Sequence, residues 1–265
     1  MLNERFRIRV RRRLGLPVKA PAGWSAGPPD FVGVGTQRSG TTWWFRQIIR
    51  HPGIVAPWGK ERHYFDPFWG EAFSAEDREA YGELFPRPAG ALTGEWTPRY
   101  MYDPWALPLL GEAAPDARIL VLLRDPWRRF LSGVAHEERV LARDLGRSNG
   151  DYLRLMIRHD ALQRSLYAGQ IERINTYFDP ARVLILQYER CVNDPDAELS
   201  RTLSFLGLDP PESGLEVDRR APAPPPASGL PSAVEEDVRA QLAADVRALV
   251  ELEPEIDPEL WPECR

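Results

Sequence analysis

A chain of 265 residues, 43% hydrophobic and 28% charged, has ordinary globular composition and is long enough for one large α/β domain with a buried core. Its net charge of −5 excludes a general attraction to nucleic acid. No apolar run approaches the roughly 20 residues of a bilayer span, and the N-terminus lacks the apolar stretch of a signal peptide. The two cysteines, Cys191 and Cys264, have neither metal spacing nor a disulfide framework. A cytoplasmic protein without a metal centre is the expectation.

Residues 1–13 carry six arginines (Arg5, Arg7, Arg9, Arg11, Arg12 and Arg13) against Glu4. They read as a solvated arm or as a contact for an anionic membrane surface or another polyanion. With the Gly-, Pro- and Ala-rich residues 14–29 they form a basic arm and lead-in. A core follows over 30–208. Phe31-Val32-Gly33-Val34-Gly35 reads as a short buried strand. Phe45, Ile48 and Ile49 recur at helical spacing, and that helix stops before Pro52-Gly53.

Residues 54–90 are aromatic and irregular, and 91–95 suit a short strand. Arg118 to Leu123 is a buried strand. Asp125-Pro126 is a cap and first-turn pair for the next helix. Residues 151–178 read as one long helix, 183–187 as a buried strand and 194–206 as another helix. Cys191 is expected to pack near that strand's end. A Pro-rich loop covers 209–231. The last segment, 232–265, is a helix and tail, with Val234, Val238, Leu242, Val246 and Leu249 in phase. Strands alternating with helices predict an α/β, P-loop-like, three-layer fold with a central, mainly parallel sheet.

Gly35-Thr36-Gln37-Arg38-Ser39-Gly40-Thr41-Thr42 joins the first strand to the first helix with the Gly-x-x-x-x-Gly spacing of a phosphate loop. Such a turn aims backbone N–H groups and a helix N-terminus at an anion. A nucleoside triphosphatase would carry Lys after the second Gly. Here that position is Thr41, and the cation, Arg38, lies inside the loop.

This loop resembles that of the sulfotransferases that use 3'-phosphoadenosine 5'-phosphosulfate. Arg38-Ser39-Gly40-Thr41-Thr42-Trp43 matches their Lys/Arg-Ser/Gly-Gly-Thr-Thr-Trp. The resemblance implies that these six residues hold the donor's 5'-phosphosulfate, with Trp43 stacked on adenine. The family more often has Lys at position 38, and an Arg is the poorer proton donor. Arg124 and Ser132 stand at the spacing of the family's 3'-phosphate contacts. Arg124 leaves the C-terminal end of a strand, where ligands of open α/β sheets bind. Its planar fork of donors suits phosphate oxygens. Leu186-Gln187-Tyr188-Glu189 resembles the strand end that sets a Tyr beside adenine. Of the family's late Arg-Lys-Gly contact, only Arg219-Arg220 stands near that place.

Lys60-Glu61-Arg62-His63-Tyr64-Phe65-Asp66 is similar to the Lys-Glu-x-His-Phe/Tyr-Phe-Asp segment of the heparan-sulfate-type branch. That likeness implies Glu61 as general base, with His63 and Asp66 supporting it; His63 as base, and an ordinary ion pair at Glu61, stay open. Gly94-Glu95-Trp96-Thr97-Pro98-Arg99-Tyr100 resembles the branch's Glu-Lys-Thr-Pro-x-Tyr. It implies an acceptor side made by Lys60, Trp96, Arg99 and Tyr100. Trp58, Tyr64, Phe65, Phe68 and Trp69 are divided between pocket and core. A carbohydrate, a glycolipid or a small metabolite fits as acceptor. A P-loop kinase or nucleoside triphosphatase, and an inactive nucleotide-binding relative, are the competing readings.

Overall fold

The computed structural model describes residues 20–57, 59–144, 150–209, 217–218 and 229–264, with the backbone alone for 141–144 and 150–154. In chain order the elements are β1 (Trp24–Ser25), β2 (Phe31–Gly35), α1 (Thr41–Ile48), β3 (Ile54–Val55), α2 (Ala75–Gly82), β4 (Arg87–Pro88), β5 (Leu92–Trp96), α3 (Ala106–Ala113), β6 (Arg118–Leu123), α4 (Pro126–Asp144), α5 (Gly150–Gln163), α6 (Ala168–Tyr177), β7 (Val183–Gln187), α7 (Tyr188–Asn193), α8 (Pro195–Phe205) and α9 (Ser232–Leu252). None of the helices is long and apolar enough to cross a membrane, among the described residues.

The main sheet has the order β3-β5-β2-β6-β7 and every pairing in it is parallel. A small antiparallel pair, β1 with β4, stands apart from it. Side chains of a strand leave alternate faces, and β6 shows the result. Ile119, Val121 and Leu123 enter one apolar cluster, while Leu120 and Leu122 enter the other. The first cluster takes Leu107 and Leu110 of α3, Ile171 and Ile174 of α6, and Leu242, Val246 and Leu249 of α9. The second takes Trp44, Phe45 and Ile48 of α1 and Leu199 and Leu203 of α8. Three layers result, in the fold class that the alternating pattern predicts.

Gly33 lets β2 and β5 close up. A Cβ there would lie 2.0 Å from the Trp96 indole. Gly33→Ala is therefore expected to lower stability by about 1–3 kcal/mol, as overpacking of a dense core does. Denaturant unfolding checks it; an unchanged midpoint would disprove the close packing.

Some expectations need correction. The long helix over 151–178 is two helices, broken at 164–167. The buried Ser165 hydroxyl donates to Ala161 O at 2.8 Å and accepts Arg129 Nη1 at 3.1 Å. The Asp245 carboxylate of α9 accepts the Tyr167 and Ala168 N–H groups and so starts α6. The irregular stretch 54–90 contains α2, whose start is a reciprocal cap between Ser74 and Asp77. Val234 is exposed rather than core, one turn before the buried face of α9 begins at Val238. Cys191 is buried within α7, directly after β7, and Cys264 is buried in the final turn. The arm over 1–13, Trp58, Arg219-Arg220 and most of the 209–231 loop lie outside the described residues.

Candidate active site

Because the sheet is parallel, the C-terminal ends of β2, β5, β6 and β7 meet at one edge, the ligand-binding edge of open α/β folds. A cleft of about 1140 Å³ opens there, lined among others by Arg38, Thr41, Glu61, Arg124, Ser132 and Tyr188. The loop after β2 turns through left-handed backbone at Arg38 (φ 68°) and Gly40 (φ 84°). Gly40 is the N-cap of α1, and a Cβ on it would lie 2.5 Å from the Tyr188 ring. Only glycine meets both demands. The fully buried Ser39 hydroxyl bonds to Thr36, whose Oγ1 also contacts Leu122 O at 3.0 Å. The Ser39 side chain thus braces the loop, while Thr41 and Thr42 both reach the cleft wall.

Arg124 extends from the end of β6 and is only 9% exposed. Its Nη1 donates to Arg38 O at 3.2 Å, and its guanidinium lies 5.2 Å from the Tyr188 ring centre. The buried Nε has no partner among the described residues. A buried donor without an acceptor is costly. Arg38 reaches across to Ser132, with Nε 3.3 Å from Oγ. Burial, then Arg139 and Arg124, push the Arg38 pKa down. Trp43 stands edge-on to Tyr188, with ring centres 6.1 Å apart. Its Nε1 donates to Asp218 O at 2.6 Å, which brings a piece of the Pro-rich segment onto this corner.

On the facing wall, Lys60 Nζ lies 2.8 Å from Glu61 Oε1 and 3.0 Å from Thr41 Oγ1. His63 joins two carboxylates: Nε2 is 3.1 Å from Glu61 Oε2 and Nδ1 is 2.9 Å from Asp66 Oδ2. The bonds to Asp66 and then Glu61 outweigh burial and push the His63 pKa up to about 10. Burial is the largest single influence on Glu61 and raises its pKa. The hydrogen bonds from His63 and Lys60, with their charges, overcome it and hold the carboxyl at about 2. The site is therefore a carboxylate set between an imidazolium and an ammonium.

The 60–66 segment is held from beneath by Glu95, which is fully buried. Its carboxylate accepts from Arg62 N at 3.1 Å, Tyr81 OH at 2.8 Å and Thr97 Oγ1 at 2.5 Å. Thr97 Oγ1 also accepts from Arg62 N at 2.9 Å. Burial raises the Glu95 pKa, an effect that these bonds oppose.

Two residues expected on the acceptor side are not at the cleft surface. Trp96 is fully buried against Gly33, and its Nε1 donates to Gly35 O at 3.0 Å. Tyr100 is fully buried as well, and its hydroxyl accepts Tyr64 N at 2.8 Å. Both lie inward because β5 pairs directly with β2 and the 60–66 segment packs over them. Arg99 is paired with Asp103 at 2.5 Å and lines a groove beside the cleft, with Met156 and Asp160. Tyr64, Phe65 and Phe68 are core, whereas Trp69 is 75% exposed.

Arg129 belongs to no site motif recognisable in the sequence. It is buried, and its Nε donates to Gln37 O at 3.0 Å while Nη1 donates to Ala161 O at 2.6 Å. Burial pulls its pKa down to about 10. It ties the phosphate loop to α5. The available signal was its place one turn into the helix that begins at Asp125-Pro126.

Residues 94–212 match the profile described as the sulfotransferase family. The phosphate loop and the 60–66 segment precede that match. The chain is 30% identical over 207 residues to heparan sulfate glucosamine 3-O-sulfotransferase 6 of Mus musculus, covering 74% of this chain and 57% of that protein. Against heparan sulfate glucosamine 3-O-sulfotransferase 3B1 of Mus musculus the identity is 28%, over 68% of this chain and 46% of the relative. The chain thus spans about half the length of these relatives. Among solved structures, a sulfotransferase from Alicyclobacillus acidocaldarius aligns with a TM-score of 0.67 at 23% identity, over 88% of this chain and 98% of that one. That likeness concerns the fold.

Proposed function

The chain belongs to the sulfotransferase family, and from that premise we propose that it carries a sulfuryl group from 3'-phosphoadenosine 5'-phosphosulfate to an acceptor hydroxyl or amine. One observation carries the reading: a single cleft joins the N-terminus of α1 at Thr41 to a cationic corner at Arg124, Arg38 and Ser132. Two such ends suit a nucleotide with both 5'- and 3'-groups. Tyr188, packed between Gly40 and Arg124, offers aromatic surface for the base, with Trp43 edge-on to it. Arg38 to Trp43, Arg124, Ser132 and Tyr188 are the proposed donor contacts.

In the proposed reaction the acceptor oxygen or nitrogen bonds to sulfur as the bond from sulfur to the 5'-phosphate oxygen breaks. Glu61 takes the acceptor's proton, and adenosine 3',5'-bisphosphate departs. The attacking atom becomes strongly acidic as its bond to sulfur forms, so a carboxylate held near 2 is still basic enough to receive that proton. His63, oriented by Asp66, holds Glu61 in position. Positioning and charge account for most of the catalysis, as in phosphoryl transfer.

The names of the relatives give heparan sulfate glucosamine as their acceptor, which supports a sugar hydroxyl here. Trp69, on the same turn as Asp66, offers an exposed ring face for a sugar. Binding by calorimetry tests the donor, and a mass-shift screen of sugars, glycolipids and metabolites with labelled donor tests the acceptor. Adenosine 3',5'-bisphosphate should bind without added metal and more tightly than ATP with Mg²⁺. The opposite order would point to a kinase or nucleoside triphosphatase.

A further inference from the structure

The loop after β2 lacks a lysine at Thr41, and its own cation points elsewhere. Arg38 sits in left-handed backbone, its carbonyl accepts Arg124, and its side chain runs to Ser132 on α4. That places the guanidinium at the corner assigned to the 3'-phosphate. The start of α1, where the 5'-group would sit, receives a different cation. Lys60 Nζ is 3.0 Å from Thr41 Oγ1, and its side chain is only 14% exposed. Its backbone is fixed as well, since Trp96 N donates to Lys60 O at 2.8 Å. Thr41 is small enough to leave this space open.

We infer that the two cations divide the donor between them: Lys60 binds the 5'-phosphosulfate end and Arg38 binds the 3'-phosphate. The inference rests on the donor reading above and reassigns both residues. Lys60 moves from the acceptor side to the donor, and Arg38 from the sulfuryl end to the opposite one. A crossover after β3 thus supplies the lysine that the loop does not carry.

The chemistry favours this division. A planar guanidinium beside Arg124 and Ser132 suits a terminal phosphate with several oxygens. An ammonium can give a proton to the oxygen that sulfur leaves, which a guanidinium does poorly. Burial lowers the Lys60 pKa, and the charge of Glu61 restores part of it, so the group is a better proton donor than a free lysine. Lys60 also contacts Glu61 at 2.8 Å, so one cation links base and donor.

Truncated nucleotides separate the two ends. The full chain and its Lys60→Met and Arg38→Met variants are titrated with adenosine 3',5'-bisphosphate, adenosine 5'-monophosphate and adenosine 3'-monophosphate. Lys60→Met should lose about tenfold or more on both ligands with a 5'-phosphate, and no more than about twofold on the 3'-monophosphate. Arg38→Met should show the mirror image. Lys60→Arg, which keeps the charge, should retain most of the 5'-affinity. Equal losses on both monophosphates would make Lys60 merely structural and overturn the inference, as would loss of 5'-monophosphate binding in Arg38→Met. If the wild type binds the bisphosphate no better than adenosine, the donor reading itself fails. That result is distinct from a wild type that binds but divides its contacts otherwise.

Discussion

Glu61→Gln is expected to cut sulfuryl transfer by about 10²- to 10⁴-fold, the range general-base catalysis contributes. The amide keeps the carboxylate's shape and one acceptor oxygen but cannot take the proton. Affinity for adenosine 3',5'-bisphosphate should remain, and turnover near the wild-type rate would remove Glu61 from the mechanism. The pH profile adds a second readout. Glu61 is held at about 2, so its acid limb lies far below neutrality. His63→Ala removes the first bond that holds it down and leaves Lys60 alone to oppose burial. The acid limb should then move up in pH. Linkage has the matching signs. The lowered Glu61 pKa contributes stability present above the ordinary 4.5 and lost as pH falls through about 2. The raised His63 pKa contributes stability present below the ordinary 6.5 and lost as pH rises through about 10. Both groups are more than a third exposed or close to it, so these contributions are modest.

Arg124→Met should weaken adenosine 3',5'-bisphosphate by one to two orders of magnitude, or roughly 1.5–3 kcal/mol for a lost charged hydrogen bond. The methionine fills much of the same space against Tyr188, so the loss reports charge and donors rather than a cavity. Adenosine 5'-monophosphate should bind the variant almost as well as the wild type. An equal loss on both ligands would mean that Arg124 only braces the loop through Arg38 O.

The parts of the site legible in sequence share one property. Gly35, Gly40 and Thr41 define a turn whose geometry depends on backbone within a few residues, so spacing alone marks it. β6 and β7 were equally plain, because a run of buried aliphatics between turn residues has few alternatives. α2 was missed although Ser74 and Asp77 stood at capping distance, because the aromatics around it hid its period. The segment 164–167 looked helical because nothing local breaks it. Arg129 on α4 and Asp245 on α9 do so from 36 and 78 residues away.

From the sequence come the α/β layering and the loop after β2, set by neighbours along the chain, and, through the family resemblance, the Arg124–Ser132 spacing and the Glu61-His63-Asp66 series. Tertiary structure alone decided that Trp96 and Tyr100 turn inward, that Glu95 anchors the 60–66 segment, and that Lys60 rather than Arg38 contacts Thr41 at the start of α1. Those outcomes depend on which strands lie side by side. Once β5 is paired with β2, Gly33 has room only for the indole, and the 60–66 segment is carried over the strand ends to the helix start.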